Sequence, residues 1–489
     1  MYVGMNTAIG RSIPRKEAWD KVTGRAKYTE DSKTAGVLSA RLLTSTMAHA
    51  VIRRIDITKA LAVKGVKSVL IGAEFPELFG PLLLDRPALA RDVVRYAGEP
   101  VALVVAEDEP TAEQAVRLIE VAYEPLPVVL TPSEALAEGA VLLHSQAGGY
   151  QKIMTDVYPE DGTNIASRYR MEKGSAQKAF GRCDEIIQRR FFLPPSDHLA
   201  MEVRCTRAEI SAEGKVSITT SSQAPYTVRK QLSDAFAIPS GKIQVNVPLV
   251  GGGFGGKAAV SLEILAFLAS RSGGGRAGNL TTSREQDMAS APCRIGLEAD
   301  IKLGVSKDGT IQAARMTCWL DCGAYTDIAP YMTKAIAVDC TGPYHIEHLS
   351  CEALCVYTNH TYATSYRSFA HESCTFCVER VMDMAARKCG IDPLKFRIQN
   401  AIRPGNLTPS RVLCTSSLMG DLTACLNKVK PLSEWDGGGP VTIKRDIVRA
   451  KGAACFWKTE NPPTDAISGA MITFNPDGSV NLNTGVVEM

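Results

Sequence analysis

The stretch Val250-Gly251-Gly252-Gly253-Phe254-Gly255-Gly256-Lys257-Ala258 sets five glycines around one phenylalanine, directly after an apolar run. Ordering a glycine costs roughly 0.5–1 kcal/mol more than ordering an alanine, so this density implies that something must come close to the backbone there. Three local readings stay open. Gly251 through Lys257 satisfies GxxxxGK, with amides for phosphates and Lys257 for the terminal ones. Ala258, however, stands where a phosphate loop needs a Ser or Thr hydroxyl for magnesium. Gly251, Gly253 and Gly256 also satisfy the GxGxxG of a dinucleotide fold, but a β-rich block precedes the loop and no regular strand–helix alternation follows it. The third reading is a tight strand-to-helix turn with no ligand.

The whole chain narrows the classes. At 489 residues it exceeds one ordinary core, so two or more domains are expected. Lys+Arg 55 against Asp+Glu 52 gives a net charge of +3, which offers no field for a polyanion, so nucleic acid is not an expected partner. No apolar run reaches the roughly eighteen residues that span a bilayer, and the N-terminal stretch lacks the apolar core of a secretory signal; a cytoplasmic location off the membrane is expected. Fourteen cysteines lie scattered from Cys183 to Cys455, unlike a disulfide framework. Cys374 and Cys377 form one CxxC with no second pair, which reads as two residues on one helical face rather than a metal site.

Along the chain, PVALVVAE, TAEQAVRLIE and VAYEPLP read as strand, helix and strand, with Asp108 and Pro110 marking the helix start. QAGGYQKIMTDVYPEDGTN has no periodicity, which places a linker at 146–164 between domains at 1–145 and 165–489. Beyond it, KVSITTSS and KIQVNVPLV alternate with SLEILAFLASRS, a mixed α+β pattern. Asp392 and Pro393 suit the N-cap and first position of a helix that follows one closed by Gly390. AMITF and SVNLNTGVV read as a hairpin about Asn475-Pro476-Asp477-Gly478.

These segments carry a resemblance. VGGGFGGK is similar to the molybdopterin-contacting loop in the large subunit of the xanthine dehydrogenase and aldehyde oxidase family, the molybdenum hydroxylases. KVTGRAKYTED, YAGEPVALVVAED, VAYEPLP and SSQ precede it in the family's order, and SYRSFAHES, GIDPLKFRIQNAI and DGSVNLNTGVVEM follow. The resemblance implies an α/β hammerhead domain at 1–145 and the first part of a molybdopterin-binding domain at 165–489. It implies that the amides of Gly252, Gly253, Phe254 and Gly255 face the metal's oxygen and the pterin. Gln223 would hydrogen-bond a molybdenum oxygen, Arg367 would stand near the cofactor, and Met489 would border the pterin-binding segment; none is a direct metal ligand. Phe369 would pack on a flat substrate ring. Lys334 falls near the position of a substrate-orienting arginine, and Ala258 replaces the glutamate of purine-specific members. Taken alone, Gln223 is a solvated strand end, Arg367 a surface ion pair, Phe254 and Phe369 core aromatics, and His371 a surface or supporting histidine. Ser368 and Ala370-His371-Glu372 depart from the family's Gly and Gly-X-Pro.

Relatives continue past TGVVEM with a Gly-Gln-Gly and, later, the catalytic glutamate. The expectation is a truncated frame or a domain whose second half lies on another chain, with no catalytic base here; Glu202 and Glu372 are set aside for that role. The implied assembly hydroxylates an N-heterocycle or an aldehyde with water-derived oxygen. Its cofactor would be molybdenum-molybdopterin in the cytosine dinucleotide form. [2Fe-2S] and FAD subunits would be partners, since the cysteines lack a ferredoxin-type spacing. The rivals are a non-catalytic scaffold and a P-loop nucleotide-binding protein.

Overall fold

The computed structural model describes residues 10–32, 35–459 and 468–485. Two large sheets organise it. A seven-stranded sheet runs in the order Ile243–Asn246, Val216–Thr220, Cys205–Ile210, Gly278–Thr281, Leu38–Thr44, Pro100–Ala106, Val66–Ile71. Its seam is the parallel pairing of Leu38 with Gly278 and Ala40 with Leu280. Strands from the first 145 residues thus share one hydrogen-bonded sheet with strands beyond 200. Pro100–Ala106 and Glu120–Pro125 flank the helix Glu109–Val116, whose Asp108 cap accepts from the Thr111 amide. The second of those strands leaves for a separate three-stranded sheet with Ala50–Asp56 and Val93–Val94.

The five-stranded sheet runs Glu185–Leu193, Gly296–Val305, Ile311–Gly323, His348–Tyr357, Ile165–Lys173. Ile311–Gly323 and His348–Tyr357 are parallel, so the chain must cross over between them, and the helix Ala329–Asp339 makes that crossing. Helix His371–Lys388 covers the same sheet with one apolar face, on which Cys374 and Cys377 are both buried. All fourteen cysteines are free thiols, and no cluster of three or more metal-ligating side chains occurs among the described residues. Helix Leu262–Ser272 is apolar all round from Leu262 to Ala269 except for Glu263, and it is buried against the seven-stranded sheet. No described helix is long and apolar enough to cross a membrane. The hairpin Ala470–Phe474 with Val480–Thr484 forms as its pattern suggests, and both strands are exposed throughout.

Candidate functional site

The glycine stretch follows the strand Ile243–Asn246 and ends in a single tight turn, Gly256–Ala258, before the helix opens at Leu262. Gly252 and Gly255 take φ of +98° and +102°, and Phe254 between them takes +53°. A side chain at Gly255 would put its Cβ 2.4 Å from the Ser365 carbonyl oxygen, and one at Gly253 would put it 2.4 Å from Gln223 Oε1. The glycines therefore give way to neighbours. Glu202 and His198 press in the same way on Gly251 and Gly256.

Gln223 lies just past the strand Val216–Thr220 and before the helix Pro225–Phe236. Its backbone N–H donates to the Lys257 carbonyl at 2.8 Å, and its side-chain Oε1 accepts from the Gly255 amide at 3.0 Å. The solvated strand end is thus a strut across the turn. The amides of Gly252, Gly253 and Phe254 donate to nothing among the described residues. Three adjacent N–H groups without acceptors suit an oxygen-rich anionic group such as a metal oxo or pterin phosphate.

Lys257 answers the phosphate-loop reading. Its side chain is 5% exposed, and Nζ meets Glu202 Oε2 at 2.7 Å. Burial lowers its pKa, with Glu202 partly restoring it. The same Glu202 oxygen accepts the Gly251 amide at 2.7 Å. Lys257 therefore ties the two ends of the turn together and has no reach to a nucleotide's terminal phosphate. Glu202, set aside as a base, is the anchor that spacing alone did not reveal.

The segment 365–372 closes on the turn from the other side. His198 bridges the two: its Nε2 donates to the Ser365 carbonyl at 2.7 Å, and its ring lies 4.9 Å from that of Tyr366. Burial holds its pKa below the usual imidazole value. Arg367 is exposed and has no partner among the described residues, so the surface ion pair expected of an isolated arginine is not formed. Ser368, Phe369 and Ala370 take φ of +98°, +63° and +69° in succession without a glycine, a conformation costing roughly 1–2 kcal/mol per residue. Phe369 packs its ring partly into the core of the five-stranded sheet.

The remaining expected residues fall elsewhere or behave differently. Phe254 is 45% exposed, not a core aromatic; its ring lies over Gly252. Ala258 is half-buried and donates its amide to the Gly255 carbonyl. Lys334, on Ala329–Asp339, pairs with Asp156 at 2.6 Å with its side chain 46% exposed, so its charge is engaged away from the turn. Met489 lies outside the described residues. His371 is not a surface histidine: it is 4% exposed and faces Asp339 at 2.8 Å.

A mixed α+β fold whose glycine turn, Gln223 and the 365–372 segment converge is that of a molybdopterin-binding subunit. Residues 157–401 match the model of the molybdopterin cofactor-binding domain, and residues 23–127 match that of the aldehyde oxidase and xanthine dehydrogenase a/b hammerhead domain. The chain belongs to the xanthine dehydrogenase and aldehyde oxidase family of molybdenum hydroxylases. It is 31% identical to the putative xanthine dehydrogenase molybdenum-binding subunit of Escherichia coli K12, over 97% of this chain and 63% of that protein. It is 29% identical to the nicotinate dehydrogenase large molybdopterin subunit of Eubacterium barkeri, over 81% of this chain and 90% of that protein. The fold superposes on the aldehyde oxidoreductase of Desulfovibrio gigas with a TM-score of 0.82 at 24% identity, covering 97% of this chain and 52% of that one. The chain thus spans between half and two thirds of the E. coli and Desulfovibrio proteins.

Proposed function

We propose that this chain is the molybdopterin-binding part of a molybdenum hydroxylase that oxidises an N-heterocycle or an aldehyde, with the new oxygen drawn from water. The observation that carries the reading is the row of three unpartnered amides at Gly252, Gly253 and Phe254, beside Gln223 and the Ser365 carbonyl. When bound, the molybdenum–pterin group supplies the two-electron oxidation and the activation of water. The chain's residues bind and orient. The three amides donate to anionic oxygens of the group without reorganising, because the turn is fixed at Glu202 and Gln223. Arg367 offers a guanidinium that no carboxylate of the described residues neutralises. Phe369 offers a ring to a flat substrate.

Ala258 presents a methyl group where a purine-specific relative has a carboxylate, which favours a heterocycle or aldehyde other than xanthine. Lys334, held by Asp156, is given no substrate role. The proton-abstracting base is assigned to no residue here: Glu202 is committed to Lys257 and Gly251, and Glu372 to Ser368. The electrons pass to [2Fe-2S] and FAD carried by partner subunits, the pterin is the cytosine dinucleotide form, and the assembly works in the cytoplasm.

The test is molybdenum by plasma mass spectrometry and nucleotide released from the pterin, on protein purified from a cofactor-making host, alone and with its co-purifying subunits. Molybdenum and CMP are expected in about equal amounts and reduced about tenfold in Gln223→Ala/Arg367→Ala. No molybdenum in any preparation, or ATP binding abolished by Lys257→Ala, would overturn the reading.

A further inference from the structure

Non-glycine residues visit the left-handed region singly as a rule, so three in a row need surroundings that over-determine them. At Ser368-Phe369-Ala370 those surroundings converge on one imidazole. His371 Nδ1 lies 2.9 Å from the Ser368 carbonyl oxygen and 3.2 Å from that of Phe369, while Nε2 lies 2.8 Å from Asp339 Oδ2. Each ring nitrogen thus has an oxygen acceptor within hydrogen-bonding distance. Asp339 ends the helix Ala329–Asp339 and is itself fixed by the Thr459 amide at 3.0 Å and by the Thr459 hydroxyl. A shorter link closes the same arch: Ser368 Oγ donates to Glu372 Oε2 at 2.9 Å and accepts the Glu372 amide at 2.9 Å.

We propose that His371, anchored by Asp339, is a positioning residue: it clamps the 368–370 arch and thereby fixes where Arg367 and the Phe369 ring stand in the segment that meets the glycine turn at Ser365. Arg367 and Phe369 lie within four residues of His371, both carbonyls that His371 holds belong to the arch, and the chain just before Arg367 is pinned to Gly255 and His198 at Ser365. The arch is therefore held at both ends, and its shape between them depends on the clamp. The functional meaning rests on the cofactor reading above.

Hydrogen–deuterium exchange of the full chain, followed in the peptide covering 365–373, tests this without cofactor. His371→Ala is expected to raise exchange there at least tenfold, with strand Ile311–Gly323 unchanged. Adding Ala370→Gly, which adopts positive φ without a clamp, is expected to recover at least half of that loss on a logarithmic scale. A histidine acting only as core filler would loosen the helix His371–Lys388 as well and gain nothing from the glycine. If His371→Ala does not fold, Asp339→Asn with and without Ala370→Gly carries the same comparison. Unchanged exchange in the arch, or no recovery with glycine, overturns the proposal. Absence of molybdenum would sink the cofactor reading and leave this result standing.

Discussion

The glycine turn and the 368–370 arch reach the same left-handed backbone by opposite means. In the turn, Gly252 and Gly255 adopt it without steric cost, and the space left by missing side chains is filled by Gln223 and the Ser365 carbonyl. In the arch, serine, phenylalanine and alanine adopt it against their preference, and side chains from Asp339, His371 and Glu372 hold them there. Each has a buried or nearly buried carboxylate as its anchor, Glu202 in the turn and Asp339 in the arch. The difference teaches where each element tolerates change: the turn tolerates no added atoms, and the arch tolerates no lost partners.

Exchanging the two residue types breaks that comparison most sharply. Gly255→Ala sets a methyl carbon 2.4 Å from a backbone carbonyl that cannot rotate away, at φ +102°. A loss of about 4 kcal/mol, or failure to fold, is expected in chemical denaturation. Ala370→Gly relieves a strained φ of +69° and gives up a buried methyl, two effects of opposite sign; it should fall within about 1 kcal/mol of wild type. Equal costs for the two exchanges would mean that the turn and the arch are not different devices.

The anchor of the turn gives the next largest effect. Lys257→Met leaves Glu202 buried with only the Gly251 amide for its charge, at a cost of about 3 kcal/mol. Lys257→Met with Glu202→Gln removes both charges and should recover most of it, because an amide oxygen still accepts from Gly251. A double variant no better than Lys257→Met would show that packing, not charge, ties the turn together.

The two regions also differ in how far the sequence disclosed them. The turn was legible because glycine density is itself a signal of close approach, and SSQ and YRSF lay in the order that a family resemblance supplies. Which neighbours come close was not legible: Glu202, His198 and Gln223 lie 49, 58 and 30 positions upstream of Gly251, Gly256 and Gly253, and no spacing rule joins them to the loop. The arch was less legible still. Ser368, Ala370 and His371 registered only as departures from Gly and Gly-X-Pro, while the partners that make those departures tolerable, Asp339 and Thr459, sit 32 and 88 residues away from His371. Helix ends did better, since Asp108 and Asp392 cap through bonds only three residues long. Local hydrogen bonding leaves a local pattern, and tertiary buttressing leaves none. The strand–helix–strand at 100–125 shows the limit in between: all three elements form, but whether two strands join one sheet depends on partners far along the chain.

His198 belongs to both regions, and titrating it is the mildest way to probe them together. Its ring touches Gly256 on one side and holds the Ser365 carbonyl on the other. Burial is the largest influence on it and lowers its pKa, while the bond to Ser365 partly opposes that shift. The folded value therefore lies below the ordinary value of 6.5, and the unfolded chain binds the proton more readily. The stabilising contribution is present above that ordinary value and lost as pH falls below it. Melting temperature should decline from pH 7 towards pH 5 more steeply in wild type than in His198→Gln, whose amide can still donate to Ser365 but does not titrate in this range. The difference should be a few degrees at most, since one partly exposed ring is involved. If protection of the turn and of the 365–373 peptide decays together in wild type and stays level in His198→Gln, the histidine is the link between them. Parallel slopes in the two proteins would instead mean that His198 does not set the response of the turn and the arch to acid.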